Sequence, residues 1–298
     1  MSSEYQILLF YKYVTVADPV DLVEEQRAFC EAHELTGRIL IAEEGINGTL
    51  EGLTENTEAY IDYLRADPRF ADIDIKRSPG FGEAFPKLSI KARRDIVSNQ
   101  IEDWAVDPRQ TTGKYLSSEE LHQWFEEGRE FFMIDMRNDY EFMAGHFVES
   151  IGMPIRNFRQ IPEFLDSIRH LEGKTVVTVC TGGVRCEKAS GLLIKHGFSD
   201  VYQLKDGIVT YMEKYPNKHF LGKLYVFDQR ILMGFNTDSA EHQIAGRCQL
   251  CGSPSERYIN CRNTACHLHF ICCAACSNGD VLAFCSEACK QVVPTLAI

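Results

Sequence analysis

Nine of the chain's twelve cysteines fall between Cys248 and Cys289, and eight of those nine stand in close pairs: Cys248/Cys251, Cys261/Cys266, Cys273/Cys276 and Cys285/Cys289. A C-x-x-C pair brings two sulfurs onto one ion from a tight turn. Eight thiolates supply two tetrahedral four-sulfur sites, the geometry of structural zinc. Sulfur on every corner leaves no open position, so the metals are expected to brace the fold. A region this small and loop-rich lacks the core to hold itself together without such a brace. Spacing alone does not say which pairs share an ion. Iron–sulfur clusters are the alternative, since sulfur ligands also suit iron. His267 and His269 are candidate substitutes for one sulfur, and Cys272, adjoining Cys273, is left over as the spare.

Clustered pairs behind a start (MSSEYQILLF) that lacks a basic stretch followed by an apolar run point to a reducing compartment, and so to the cytoplasm. No run of about 18 apolar residues exists to span a bilayer, and no membrane partner is expected. A length of 298 residues predicts two or three domains. The formal net charge of −12 excludes a chain that coats nucleic acid with its whole surface. Phosphate binding is driven by counterion release at Lys and Arg, so any such contact needs a local basic patch.

The first part, residues 1–100, reads as β-α-β-β-α-β, the order of a ferredoxin-like (acylphosphatase-like) α+β sandwich. Tyr5 to Tyr11 is an apolar run of strand length, and Asp18-Pro19 is a helix start with an N-cap residue and proline at the first position. Arg38 to Ala42 is a second strand, Gly45 to Gly48 the turn, and Thr49 to Glu51 the return strand. Thr54 to Leu64 is helical and Ile73 to Lys76 a fourth strand. A basic run follows at Lys87, Lys91, Arg93 and Arg94. It reads either as a solvated strand and loop face or as a phosphate-contacting edge of an acidic protein.

The second part, residues 113–221, alternates strands and helices, which predicts a parallel α/β sheet covered on both faces. Ser117 to Glu120 caps a helix running to Glu127. Phe131–Asp135, Thr175–Cys180 and Val201–Leu204 read as strands. Pro162–Leu171, Glu187–His196 and Gly207–Lys214 read as helices. Residues 222–298 form the cysteine-rich region.

Chemistry concentrates at Cys180, at the end of a buried β-branched strand, where active sites of parallel sheets lie. The loop Thr181, Gly182, Gly183 and Val184 leads to Arg185, Cys186 and a helix start. The two glycines let successive N–H groups point inward, and the helix N-terminus and Arg185 add positive charge. Such surroundings pull a thiol below its ordinary pKa of about 8.5 and yield a nucleophilic thiolate, or a cradle for a sulfur attached to it. Cys186 is either a resolving thiol or a buried residue of the first helical turn.

The second part resembles a rhodanese domain. Asp135-Met136-Arg137, Tyr140-Glu141 and Gly145-His146 are similar to that family's D-V-R…E…G-H signature, and Tyr202 to Tyr211 to its closing strand and helix, with Asp206 in place of a glycine and Tyr211 in place of a tryptophan. The resemblance implies a persulfide on Cys180. Asp135, Arg137, Glu141 and His146 read as loop-fixing residues. Four residues separate Cys180 from Arg185, against five in related phosphatases, which favours sulfur chemistry.

The three-part order, the stretch Cys180 to Ser190, the segment Val226-Phe227-Asp228 and the terminal cysteines together resemble the oxygen-dependent tRNA wobble-uridine hydroxylase family over essentially the whole chain. The resemblance implies 5-hydroxyuridine as product, dioxygen as co-substrate, the tRNA anticodon region as partner, a sulfur-donor protein as a further partner, and Cys180 with Arg185 as the catalytic pair. Lys87, Lys91, Arg93 and Arg94 are then the expected tRNA contacts. The sequence carries no flavin or NAD fingerprint and no two-His-one-carboxylate iron pattern. A rhodanese-type sulfurtransferase acting on a small-molecule or protein acceptor, and a zinc adaptor without catalysis, are the competing readings.

Overall fold

The computed structural model describes residues 4–97 and 106–292. The outer limits 1, 100 and 298 expected for the first and last parts lie outside those residues.

The chain begins with β1 (Tyr5–Tyr13), α1 (Pro19–Ala32), β2 (Thr36–Ala42), β3 (Gly45–Leu53), α2 (Thr54–Ala66), β4 (Ile75–Pro79) and β5 (Leu88–Ala92). The sheet order β4-β1-β3-β2-β5 is the ferredoxin-like arrangement, widened by β5, which runs parallel to β2 at the edge. Alternation decides its faces. Leu8, Phe10, Ile39, Ile41, Ile46 and Leu50 are buried under the two helices, and each such side chain contributes about 1.5–3 kcal/mol when removed from water. The opposite face carries Leu9, Tyr11, Arg38, Leu40, Asn47 and Thr49, and among the described residues no helix of this domain covers it.

Three local expectations are corrected. The β2–β3 turn falls at Glu43-Glu44, not at Gly45–Gly48, which are strand residues paired with β2 and β1. Gly48 is needed there because a Cβ would lie 2.4 Å from the Phe10 ring. The fourth strand starts at Ile75 rather than Ile73. Asp18 makes no side-chain cap; its carboxylate meets Arg69 Nη1 at 2.6 Å instead.

The second part holds β6 (Lys114–Leu116), α3 (Ser118–Glu126), β7 (Phe132–Asp135), α4 (Asp139–Ala144), β8 (Gly145–Phe147), β9 (Ile151–Gly152), α5 (Ile161–Phe164), β10 (Thr175–Val179), α6 (Val184–Lys195), β11 (Asp200–Leu204) and α7 (Gly207–Lys214). Strands β6-β11-β10-β7-β9 form one parallel sheet, with buried clusters on its two faces. Ser117 and Glu120 close a reciprocal capping box on α3. The predicted Pro162–Leu171 helix is α5 followed by a 3-10 stretch, Leu165–Leu171.

The remainder is built of β12 (Phe220–Gly222), β13 (Leu224–Tyr225), β14 (Leu232–Met233), β15 (Tyr258–Cys261), β16 (His269–Ile271), α8 (Ala274–Ser277), β17 (Leu282–Ala283) and α9 (Glu287–Val292). It docks on the second part through Tyr140, Tyr225, Tyr258 and His269, and Tyr258 donates its hydroxyl to the Tyr140 carbonyl. Among the described residues, no helix is long and apolar enough to cross a membrane.

Candidate active site

Strand β10 ends at Val179, and the chain turns through Cys180 to Gly183 before α6 begins at Val184, one residue earlier than Arg185. The turn requires glycine for two separate reasons. Gly183 sits at φ +102°, where side chains are strained, and a Cβ on it would come 2.7 Å from the Tyr11 hydroxyl. At Gly182 a Cβ would meet Leu9 at 3.0 Å. Both neighbours belong to β1, so the open face of the ferredoxin-like sheet lies directly on the rhodanese-like loop.

The Cys180 sulfur accepts a hydrogen bond from the Gly183 N–H at 3.2 Å. Burial pushes its pKa up. The Cys186 thiol, the Arg185 charge and the backbone N–H groups of Cys186 and Arg185 outweigh that and bring it down to about 6. Cys186 is fully buried, and burial together with its bond to Cys180 pushes its own pKa well up, so it is the protonated donor of the pair.

The charge of Arg185 acts on the sulfur while its hydrogen bonds go to other side chains. The guanidinium forms a fork with Glu141, with Nη1–Oε2 at 2.5 Å and Nη2–Oε1 at 2.9 Å, and also donates to Thr181 Oγ1 at 3.3 Å. Burial lowers and the Glu141 carboxylate raises the Arg185 pKa, and the rise prevails. Glu141 also accepts the Asn138 N–H at the start of α4, so it fixes a loop and a cation together. Asp135 and Arg137 pair with no exposure at all, and Arg137 donates to the Gly145 carbonyl at 2.6 Å. His146 stacks on Phe142 and bonds the Phe142 carbonyl. Asp206 takes the left-handed conformation (φ +66°), consistent with a position that glycine would also fill.

Cys180, with only 1% exposure, is one wall of a cavity of about 420 Å3. Thr181, Gly182, Val184 and Arg185 line its floor. Leu9, Tyr11, Arg38, Leu40, Asn47 and Thr49 form its roof, and Phe85 and Phe227 complete the wall. Glu51, itself buried, shapes this edge by accepting the N–H groups of Phe81, Gly82 and Ala84 at 2.7–2.9 Å. Lys87, Lys91, Arg93 and Arg94 are exposed and are not cavity residues. The register sets Lys91 beside Leu40, which is one, so the basic edge flanks the opening.

The sequence reading missed the residues that seat the two domains on each other. Glu187 on α6 accepts Tyr11 Oη, Tyr115 Oη, Thr112 Oγ1 and Gln203 Nε2, and Tyr13 donates to the Val184 carbonyl. Lys188 is buried between Glu44 and Asp95. The only available signal was that a charged Glu-Lys pair follows an active-site loop on a helix otherwise rich in small and apolar residues.

The cysteine-rich region assembles two groups of four thiols, Cys248, Cys251, Cys273 and Cys276, and Cys261, Cys266, Cys285 and Cys289. The pairing is interleaved, first with third and second with fourth. Sulfurs stand 3.7 Å apart at Cys251–Cys273, 3.7 Å at Cys266–Cys285 and 3.5 Å at Cys285–Cys289. One ion with bonds of about 2.3 Å in a tetrahedron separates its sulfurs by about 3.8 Å, so each group could hold one metal ion. His267 and His269 join neither group; His269 faces the Tyr225 hydroxyl at 3.0 Å. Cys272 is buried outside both.

Three family models match the chain in order: UPF0176 acylphosphatase like domain over residues 5–96, Rhodanese-like domain over 117–214, and Rhodanase C-terminal over 221–290. A tRNA uridine(34) hydroxylase of Bacillus velezensis is 42% identical over 293 residues, 97% of this chain and 89% of its own length. A tRNA uridine(34) hydroxylase of Staphylococcus aureus is 47% identical over 266 residues, 88% of this chain and 82% of its own. Identity at this level along nearly the whole length, over a loop and a cysteine-rich region built as described, leads to one conclusion: the chain belongs to the tRNA uridine(34) hydroxylase family.

Proposed function

We propose that this chain hydroxylates uridine 34, the wobble base of tRNA, to 5-hydroxyuridine in the cytoplasm, with dioxygen as oxygen source and Cys180 as the sulfur nucleophile. The observation that carries the reading is the Cys180 sulfur itself, its pKa brought down to about 6, in the wall of an interdomain cavity of about 420 Å3. That volume lies within the roughly 300–1,000 Å3 typical of small-ligand pockets. An unpaired anticodon base is splayed from its loop into the cavity, with Phe85 and Phe227 as stacking surfaces. The exposed Lys87, Lys91, Arg93 and Arg94 hold its backbone.

The Cys180 sulfur, as thiolate or as the persulfide loaded by a sulfur-donor protein, adds to C6 as the C5=C6 double bond opens to an enolate that is electron-rich at C5 towards dioxygen; after C5 is hydroxylated, loss of the C5 proton expels the sulfur from C6 and restores the double bond. Hydroxylation leaves one oxygen atom on C5 and releases the other as water, which takes two electrons and two protons from a reductant. Arg185, held by Glu141, supplies a fixed cation beside the sulfur. The interleaved four-cysteine groups would hold two zinc ions, which would brace the terminal region that buttresses α4 through Tyr258.

The test is mass spectrometry of wobble nucleosides from cells lacking this protein, complemented with wild type or with Cys180→Ser. Wild type should restore 5-hydroxyuridine and Cys180→Ser should not; rescue by Cys180→Ser overturns the sulfur mechanism. Cyanide-dependent sulfur transfer from thiosulfate with no effect on tRNA would favour a sulfurtransferase.

A further inference from the structure

The fold assembles a third metal-type group that local spacing conceals. His122 and Glu126 lie one turn apart on α3, and His219 lies beyond α7, so no short motif joins them. In space their ligand atoms all fall within 4.8 Å of one another.

We propose that His122, Glu126 and His219 bind a divalent first-row transition-metal ion of the zinc, cobalt or nickel class. Two imidazoles and one carboxylate form a borderline donor set that suits such ions and leaves at least one position for water. Both rings are already oriented. His122 stacks on Tyr215 at 3.9 Å and 14°, and His219 stacks on Phe125 at 4.3 Å and 7°. The Nδ1 of His122 lies 3.2 Å from the hydroxyl of Tyr211, which is completely buried. A ring that donates Nδ1–H to Tyr211 presents its bare Nε2 outward, and this second hydrogen bond is the usual companion of a metal-bound histidine. Glu126 Oε1 lies 3.1 Å from His219 Nε2, so the carboxylate and that nitrogen converge on one point. His219 is held at φ +56°, a conformation side chains rarely adopt, and this turn brings the ring back over α3.

The group is separate from the Cys180 cavity and from both cysteine groups, none of which contains any of its residues. An ion there would tie the C-terminal end of α3 to the segment that follows α7. The N-terminal end of α7 donates the Ile208 and Val209 N–H groups to the Cys180 and Thr181 carbonyls. Helix α7 thus links Tyr211, the partner of His122, to the active-site loop.

The experiment uses the full chain loaded with zinc at the cysteine groups and titrates it with Co2+. The expected result is one further equivalent bound, with visible d–d absorption and no thiolate-to-cobalt charge-transfer band. His122→Ala or His219→Ala should each abolish it. Tyr211→Phe, which keeps the ring and loses the hydroxyl, should weaken binding about tenfold or more. Circular dichroism identifies variants that keep the fold. An absent extra equivalent in wild type, or unchanged stoichiometry and affinity in the folded histidine variants, overturns the assignment and leaves a plain His219–Glu126 ion pair.

Discussion

Lys188, in the second turn of the helix that follows the Cys180 loop, is buried to 1% exposure with its Nζ 2.8 Å from Glu44 Oε2 of the N-terminal domain. Asp95 closes on the same nitrogen at 3.0 Å. One cation therefore clamps the domain that supplies the cavity roof to the helix that supplies its floor.

Breaking that clamp should separate the two domains. Lys188→Met leaves two partly buried carboxylates facing each other without a counter-ion, which costs about 3 kcal/mol. A lower thermal unfolding midpoint and faster amide exchange in β1 and α6 should follow. Identical exchange in both segments would show that the clamp contributes nothing.

The low pKa of Cys180 owes much to the Cys186 thiol, a bond that stabilises the thiolate and has no counterpart in the unfolded chain. Alkylation of Cys180 should rise with pH through about 6 and then level off. In Cys186→Ala the donor is gone, so the profile should move to higher pH and the rate at pH 7 should fall. Cys186→Ser retains a donor and should stay near wild type. Iodoacetamide rates followed by peptide mass spectrometry settle the matter, and superimposable profiles for wild type and Cys186→Ala would be the contrary result.

Gly183→Ala places a methyl group against the Tyr11 hydroxyl in a left-handed backbone position. Strain of about 1–2 kcal/mol should slow Cys180 alkylation about tenfold. Adding Tyr11→Phe relieves the contact but not the backbone strain, so recovery should be partial. Full activity in Gly183→Ala alone would show that the loop has room to shift.

The interleaved metal pairing predicts which ligands fail together. Cys248→Ser and Cys273→Ser should each lower the metal content by one ion, and combining them should lose no more than either alone, because both serve one group. Cys248→Ser combined with Cys285→Ser should lose two. Metal analysis of the purified variants distinguishes this from a pairing of sequence neighbours, in which Cys248 and Cys273 would be additive.

Alanine at Lys87, Lys91, Arg93 or Arg94 should weaken tRNA binding with little dependence on sequence. Each lost phosphate contact should reduce the slope of log affinity against log salt by about one. Filter binding across a salt series measures both, and unchanged slopes would remove these residues from the interface.

What could be read along the chain was local. Cys180 at a strand end, two glycines and a helix start all lie within six positions, and short-range geometry suffices to make that thiol an anion site. The capping box at Ser117 and Glu120, the four cysteine pairs and the α/β alternation are equally short-range. The misplaced β2–β3 turn marks the limit of such reading. Gly45 to Gly48 has turn composition, yet the Phe10 ring on the neighbouring strand is what requires a glycine there.

The strand-end position of Cys180, the loop length after it and the eight paired thiols are legible along the chain, because each depends on residues close together in it. That Glu141 holds Arg185, that β1 roofs the loop, that cysteine pairs interleave and that His219 returns to His122 emerges in the folded molecule alone. Those contacts join distant residues. Chain order does not encode which distant residues meet; that is selected by burying Leu8, Ile39, Val177 and the other core side chains together, and the polar partners go where that packing puts them.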